Sequence, residues 1–254
     1  MKSATASARS RRARSSVLES RSMATYVLVH GAWHGSWCWK RVRKALQAAG
    51  HEVFTPTLTG VGERSHLNGP HINLDTHIAD VVNLIRWEEL SNVVLCGHSY
   101  GGCVISGVAD AIPDHIRALV YLDAFVLEDG ESLTDLLPPG QAQGMRDHAA
   151  DGWKVSPIPA EAFQVNSQDA AWVNSQCTPQ PLATFDQPIR LTGRMNGIRD
   201  VTHILAAGFR EGSPFGPCHE RARAKGWKLH SFTCGHDVMV DQPEELSQFL
   251  LQYS

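Results

Sequence analysis

The chain has 254 residues, of which 43% are hydrophobic and 19% charged, and its formal net charge is −3. This balance excludes a disordered chain, a coiled coil and a collagen-like fibre. A pI near 6.5 argues against a nucleic-acid binder held by bulk positive charge, and no run approaches the roughly 18 apolar residues of a membrane span.

Charge is placed unevenly. Residues 1–22 hold six basic side chains (Lys2, Arg9, Arg11, Arg12, Arg14 and Arg21) against one acid, Glu19. They lack the apolar stretch of a secretory signal despite the Arg11-Arg12 pair. The segment reads as a disordered basic extension or as residues upstream of a start at Met23; its composition would also suit an organelle transit peptide. The fold is expected over residues 23–254, and a chain beginning at Met23 is expected to keep full activity.

From Met23 onward strands and helices alternate. Residues 26–30 (YVLVH) form a short β-rich apolar run ended by Gly31, the pattern of a buried parallel strand. Residues 37–49 have helical spacing, with Trp39, Val42, Leu46 and Ala49 on one face and Gly50 at the C-terminal stop. A second strand is expected at 52–55, then a Pro- and Gly-rich loop at 56–70. Residues 74–87 return to helical periodicity through Ile78, Val81, Val82 and Ile85, with Asn73 or Asp75 as cap. Strand 92–96, a helix from about 99 to 111 and strand 116–122 follow. Weaker strands at 201–206 and 227–232 and a closing helix at 243–253 complete the chain. Such alternation predicts an α/β fold with a mostly parallel sheet covered on both faces. Residues 125–199 break the rhythm with seven prolines and scattered aromatics. This stretch is too long for a plain crossover, so a cap insertion over about 126–199 is expected.

Six cysteines are present, none in a C-x-x-C pair, so no zinc knuckle or thioredoxin-type site is indicated. Free, buried thiols in a reducing compartment are the expectation, although a Cys218–Cys234 bridge is conceivable. That points to the cytoplasm, with organelle targeting through residues 1–22 left open.

The strongest local signal is Gly97-His98-Ser99-Tyr100-Gly101, followed by Gly102. This G-x-S-x-G lies directly after an expected strand and before an expected helix. A nucleophile there sits on a tight, strained turn; small neighbours let chain segments approach, and the helix N-terminus favours developing negative charge. The general base should be a histidine late in the chain, after the last strand. His236, in a Gly-His-Asp setting, fits this better than His219 or His230. His30 and His98 read as structural residues beside the site.

The chain resembles the α/β-hydrolase superfamily, and within it the branch of small serine esterases and hydroxynitrile lyases that includes plant methylsalicylate esterase-like proteins and their bacterial relatives. The resemblance rests on YVLVHGAWHGSWCW (26–39), AAGHEVFTPTLTG (48–60), VVLCGHSYGG (93–102), ALVYLDAF (118–125) and GHDVMVDQPEEL (235–246). It implies a sheet of about six strands, a mainly helical cap, and an oxyanion hole formed by the Ala32 and Tyr100 amides. The acid departs from the pattern. Plant members place an Asp in the loop after the next-to-last strand, where this chain has Phe209-Arg210-Glu211-Gly212. The superfamily's other location, the end of the strand after the nucleophile helix, holds Asp123. A carboxylate there needs a partner, and His236 would supply one. Asp123 is the expected acid and Glu211 the alternative. Asp237 is disfavoured, because adjacent side chains rarely align for that hydrogen bond.

The resemblance implies a carboxylesterase acting on small to medium hydrophobic or aromatic esters. A Ser nucleophile argues against the epoxide-hydrolase and dehalogenase branches, which use an Asp. The lyases carry a Thr where this chain has Gly31 and a Lys where it has Asp237, so ester hydrolysis is favoured over C–C bond cleavage. A non-catalytic, receptor-like member of the fold is the remaining alternative. Trp33, Trp153, Phe163 and Trp172, with Trp37 and Phe185, are candidates for an apolar pocket. No metal or organic cofactor is implied. The expected partner is a small-molecule ester, not nucleic acid, and related folds suggest a homodimer.

Overall fold

Strand β1 (Thr25–Val29) is buried along almost its whole length, as is the longer β3 (Val93–His98) beside it. Both read as unbroken apolar runs because helices cover both faces of the sheet. The computed structural model describes residues 23–209 and 213–254. The expected basic extension at 1–22 and the alternative acid Glu211 lie outside the described residues.

In chain order, β1 leads through a 3-10 turn into helix α1 (Lys40–Ala48), then β2 (Glu52–Phe54), α2 (Leu74–Trp87), β3, α3 (Gly101–Ala111) and β4 (Ile116–Leu122). Asn73 caps α2 in a capping box with Thr76, so its first turn is satisfied on both sides. The insertion between the fourth and fifth strands of the sheet carries three short helices, α4 (Gln141–Asp147), α5 (Ala170–Gln176) and α6 (Ala183–Asp186). It also has an antiparallel pair of two-residue strands, β5 (Lys154–Val155) and β6 (Gln180–Pro181). The chain then returns to the sheet with β7 (Asp200–Ala206), α7 (Phe215–Ala224) and β8 (Lys228–Phe232). It closes with α8 (Val238–Asp241) and α9 (Pro243–Leu250).

The six-stranded sheet has the order β2-β1-β3-β4-β7-β8, with every pair parallel. The chain moves outward from β1 to β2, then doubles back past β1 to β3 and continues the other way. Right-handed crossovers therefore put α1 on one face and α2 and α3 on the other. Contacts agree: α1 packs on α9, and α2 on α3. The reversal makes the carboxyl ends of β1 and β3 the switch point, where an open α/β sheet leaves a crevice for ligands. The loops after β1, β3, β4, β7 and β8 all emerge on that edge.

Three local features differ from the sequence reading. Residues 62–67 form a 3-10 turn inside the expected loop. Ser99 stands outside the helix, which begins at Gly101. Helix α7 was not anticipated, because Pro214, Gly216 and Pro217 crowd its start and its buried face is thin: Phe215, Cys218, His219 and Ala222. All six cysteines are free, including Cys218 and Cys234. No helix among the described residues is long and apolar enough to cross a membrane.

Candidate active site

Ser99 occupies the turn between β3 and α3 with φ +55°, a left-handed conformation that costs a non-glycine residue energy and persists where surroundings enforce it. The enforcing groups are backbone. Ser99 donates its N–H to Leu122 O at 3.2 Å, and its carbonyl accepts the Gly102 and Phe125 amides. The small flanking residues are a packing requirement. A Cβ on Gly97 would stand 2.5 Å from Gly101 O, and one on Gly101 would stand 2.8 Å from the carbonyls of Val29 and His30.

Asp123 follows β4 and is fully buried, also with positive φ. Its N–H is held by Ile204 O at 2.7 Å, and its Oδ1 accepts the Ala206 amide at 2.9 Å. Its Oδ2 accepts the Nδ1–H of His236 at 2.6 Å, across 113 residues of sequence. Burial raises the Asp123 carboxyl well above the usual carboxylate range, against the pull of the Ala206 amide. Burial lowers the His236 imidazole to about 4, with Asp237 opposing. His236 is therefore neutral at physiological pH and bonded through Nδ1–H, which leaves Nε2 as the basic nitrogen. Phe215 stacks on it at 4.6 Å, and Phe163 and Phe209 pack at 5.1 and 5.4 Å.

Asp237 turns away from its neighbour His236 and accepts the Nε2–H of His34 at 3.1 Å. The remaining histidines near the site hold backbone. His30 donates Nδ1–H to Gly31 O and accepts the Leu58 amide, and burial lowers it to about 3. His98 donates Nε2–H to His236 O at 3.1 Å. His219 shares a hydrogen bond with His203, while His230 stacks on Phe249 away from the carboxyl edge.

Residues of the insertion hold both loops of the candidate site. Trp33, with φ +63°, follows Ala32. It donates its main-chain N–H to Gln180 Oε1 at 2.9 Å and its indole N–H to Val155 O at 3.1 Å, and accepts the Thr178 amide. On the other loop, His236 donates its N–H to Phe163 O at 2.9 Å. Tyr100, which follows Ser99, is fixed from below: His77 gives its Nε2–H to Thr59 O, so its Nδ1 accepts the Tyr100 hydroxyl at 2.8 Å.

A cavity of about 350 Å³ opens above Ser99 and is lined by Ala32, Tyr100 and a largely apolar wall. Of the aromatic candidates, Trp33, Phe163 and Phe185 line it. Trp153 and Trp172 do not. Trp153 lies under Lys154 Nζ, and Trp172 packs edge-on against Trp37 beneath Arg41. Lining residues missed from sequence include Phe125, Leu133, Met145, Phe209 and Phe215; Gln180 was missed as an anchor. Phe209 and Phe215 flank the loop after β7, and the position of that loop on the carboxyl edge was the available signal.

Among the described residues, one grouping offers ligand atoms within 4.8 Å of one another: His98, His236 and Asp237. His98 Nε2 is engaged by His236 O, Asp237 Oδ2 by His34 and His236 Nδ1 by Asp123, so the grouping reads as a polar network.

The family model described as "Alpha/beta hydrolase family" matches residues 26–249. The chain is 48% identical over 239 residues to a carbendazim hydrolyzing esterase of Nocardioides sp. (strain SG-4G), covering 90% of this chain and 98% of that one. It is 36% identical over 112 residues to Methylesterase 2 of Arabidopsis thaliana, covering 40% and 39% of the two chains. Among solved structures it superposes with a TM-score of 0.79 on an extracellular alpha/beta-hydrolase from a Paenibacillus species. That match has 22% identity and covers 91% of this chain and 99% of that one. The chain belongs to the alpha/beta hydrolase family.

Proposed function

We propose that the protein is a serine carboxylesterase acting on small to medium hydrophobic or aromatic esters, with Ser99, His236 and Asp123 as its triad. The observation that carries the reading is the 2.6 Å contact between Asp123 Oδ2 and His236 Nδ1 at the same sheet edge as a positive-φ serine. Ser99 Oγ attacks the ester carbonyl as His236 Nε2 takes its proton. Asp123 holds the ring in the required tautomer and stabilises the imidazolium. The Ala32 and Tyr100 amides receive the developing oxyanion. His236 then protonates the leaving alcohol, and water releases the acid from the acyl-enzyme.

The apolar lining of the cavity supports hydrophobic acyl or aryl groups. Carbendazim, named in the 48%-identical relative, is the first substrate to try. Two residues speak against a lyase. Gly31 cannot carry a side chain without meeting His98 and Ser99, and Asp237 supplies negative rather than positive charge beside the base. A purely receptor-like role sits poorly with a complete Ser, His and acid set. The free thiols suit a cytoplasmic location, and a homodimer is proposed by analogy with related folds.

The test is a burst of p-nitrophenol from p-nitrophenyl acetate and butyrate, followed by turnover of carbendazim. Ser99→Ala should abolish both. Wild-type rates no higher than those of Ser99→Ala would refute the enzyme reading.

A further inference from the structure

The two ring nitrogens of His34 face two acceptors. Nδ1 lies 2.7 Å from Ala32 O and Nε2 lies 3.1 Å from Asp237 Oδ2. A carbonyl and a carboxylate can only accept, so both nitrogens carry hydrogen and His34 is an imidazolium. Its positive charge faces the Asp237 carboxylate, and both side chains are buried. Trp37 stacks on the His34 ring at 4.9 Å, a contact that favours the cation. The negative end of this pair is the one beside the base: Asp237 follows His236 in sequence, and their ligand atoms lie within 4.8 Å. Asp237 Oδ1 has no hydrogen-bond partner and looks toward the His98 ring, 3.7 Å from its Nε2.

We propose that the His34–Asp237 ion pair is an electrostatic positioning device for the ester-hydrolysing base, its carboxylate end holding up the proton affinity of His236. The inference rests on His236 being the base. Four ionisable groups surround that ring. Asp123 bonds its Nδ1, His98 packs at 4.5 Å, Asp237 follows it, and His34 lies behind Asp237. His98 is neutral, because only its Nε2 has an acceptor and its Nδ1 is unpartnered. Farther off, His219 acts on Asp123, and Cys234 lies two residues before His236. Burial alone would leave His236 a poor proton acceptor in the step that makes Ser99 nucleophilic. A carboxylate fixed beside it offsets part of that loss. His34 neutralises this second carboxylate, which would otherwise be an unpaired buried charge. Asp237 lowers its own proton affinity through the same contacts, His34 first among its charged neighbours.

The two halves of the pair act on His236 with opposite sign, and a packing role would not produce that. Asp237→Asn removes the negative end, and His34, without a counter-charge, becomes neutral; the acid limb of kcat/KM moves to lower pH. His34→Gln leaves Asp237 charged and uncompensated, and the limb moves to higher pH by about one unit. Opposite displacements support the device. Displacements of the same sign, or none in folded variants, overturn it. If either variant fails to fold, ¹⁵N shifts of the imidazoles of the intact wild-type enzyme decide. A protonated His34 beside a neutral His236 at pH 7 supports the inference, and a neutral His34 overturns it. Loss of turnover in Ser99→Ala and His236→Ala, measured in parallel, separates failure of the device from failure of the esterase reading.

Discussion

The main-chain N–H of Trp33 is bonded to Gln180 Oε1 at 2.9 Å, although 147 residues separate them. Trp33 belongs to the loop that follows β1 and Gln180 to the cap, so the insertion builds part of the candidate site as well as covering it. Gln180 is itself buried and fixed, its Nε2 donating to Thr184 Oγ1 at 2.8 Å. Since Ala32 directly precedes Trp33, the Gln180 bond aims the amide proposed for the oxyanion.

Replacing Gln180 with Ala therefore has a kinetic signature as well as a structural one. It leaves a buried N–H unpaired, a cost of about 1–3 kcal/mol, and loosens a donor used mainly in the transition state. We expect kcat to fall about tenfold or more while KM changes little, with a lower Tm. A raised KM at unchanged kcat would mean that Gln180 shapes substrate binding instead.

The acid assignment is testable by comparing two variants. Asp123→Asn should lower kcat by about four orders of magnitude, because the amide favours the wrong imidazole tautomer. Glu211→Gln should stay near wild type. The reverse ranking would move the acid to the loop after β7.

Much of this site was legible in the chain because it is carried by local signals. Ser99 announces itself through flanking glycines whose backbone atoms must touch, and the carboxyl end of a buried strand makes Asp123 conspicuous as a charge in need of a partner. Short-range periodicity likewise gave α2 and β4 their observed bounds, Leu74–Trp87 and Ile116–Leu122. The cap was opaque for the opposite reason. Its helices are four to seven residues long and are held by contacts such as Gln180 to Trp33 and Phe163 O to His236 N. Their sequence separation exceeds any period, so nothing distinguishes the lining Phe163 from the non-lining Trp172 until the chain is folded. The His34–Asp237 pair is hidden in the same way: the local sequence sets Asp237 apart only as an acid where the lyases carry a Lys, while its partner lies at the other end of the chain.

Stability should depend on pH through buried neutral histidines. Burial lowers His30 to about 3 and His77, His203 and His236 to about 4. In the unfolded chain these groups protonate near 6.5. Between that value and about 4 the unfolded state binds more protons, so stability is full above 6.5 and is lost as pH falls through this window. His34, whose folded value is raised, contributes stability that is full below 6.5 and is lost only as pH rises through that folded value, so it does not alter the trend within this window. A net uptake of two to three protons gives a slope of about 3–4 kcal/mol per pH unit. Tm measured from pH 7.5 to 5 should fall steadily, and a flat profile would show that these histidines are protonated in the fold.

Gly31 offers the sharpest test of the geometry around Ser99. A Cβ at this position would lie 2.7 Å from His98 Nδ1 and 2.9 Å from Ser99 Cβ. Neither neighbour can retreat easily: His98 is buried and bonded to His236 O, and Ser99 is locked by the backbone bonds of its turn. Gly31→Ala should cost about 1–3 kcal/mol by overpacking. It should also lower kcat on p-nitrophenyl butyrate at least tenfold, since the displaced atoms belong to the proposed nucleophile and to the ring that bonds the loop of the proposed base. Gly31→Thr, which brings in the lyase-like side chain, should be worse on both counts. A Thr variant that keeps wild-type esterase rates would show that the chain between β1 and Ala32 moves aside, and the steric argument against a lyase-type site would fall with it.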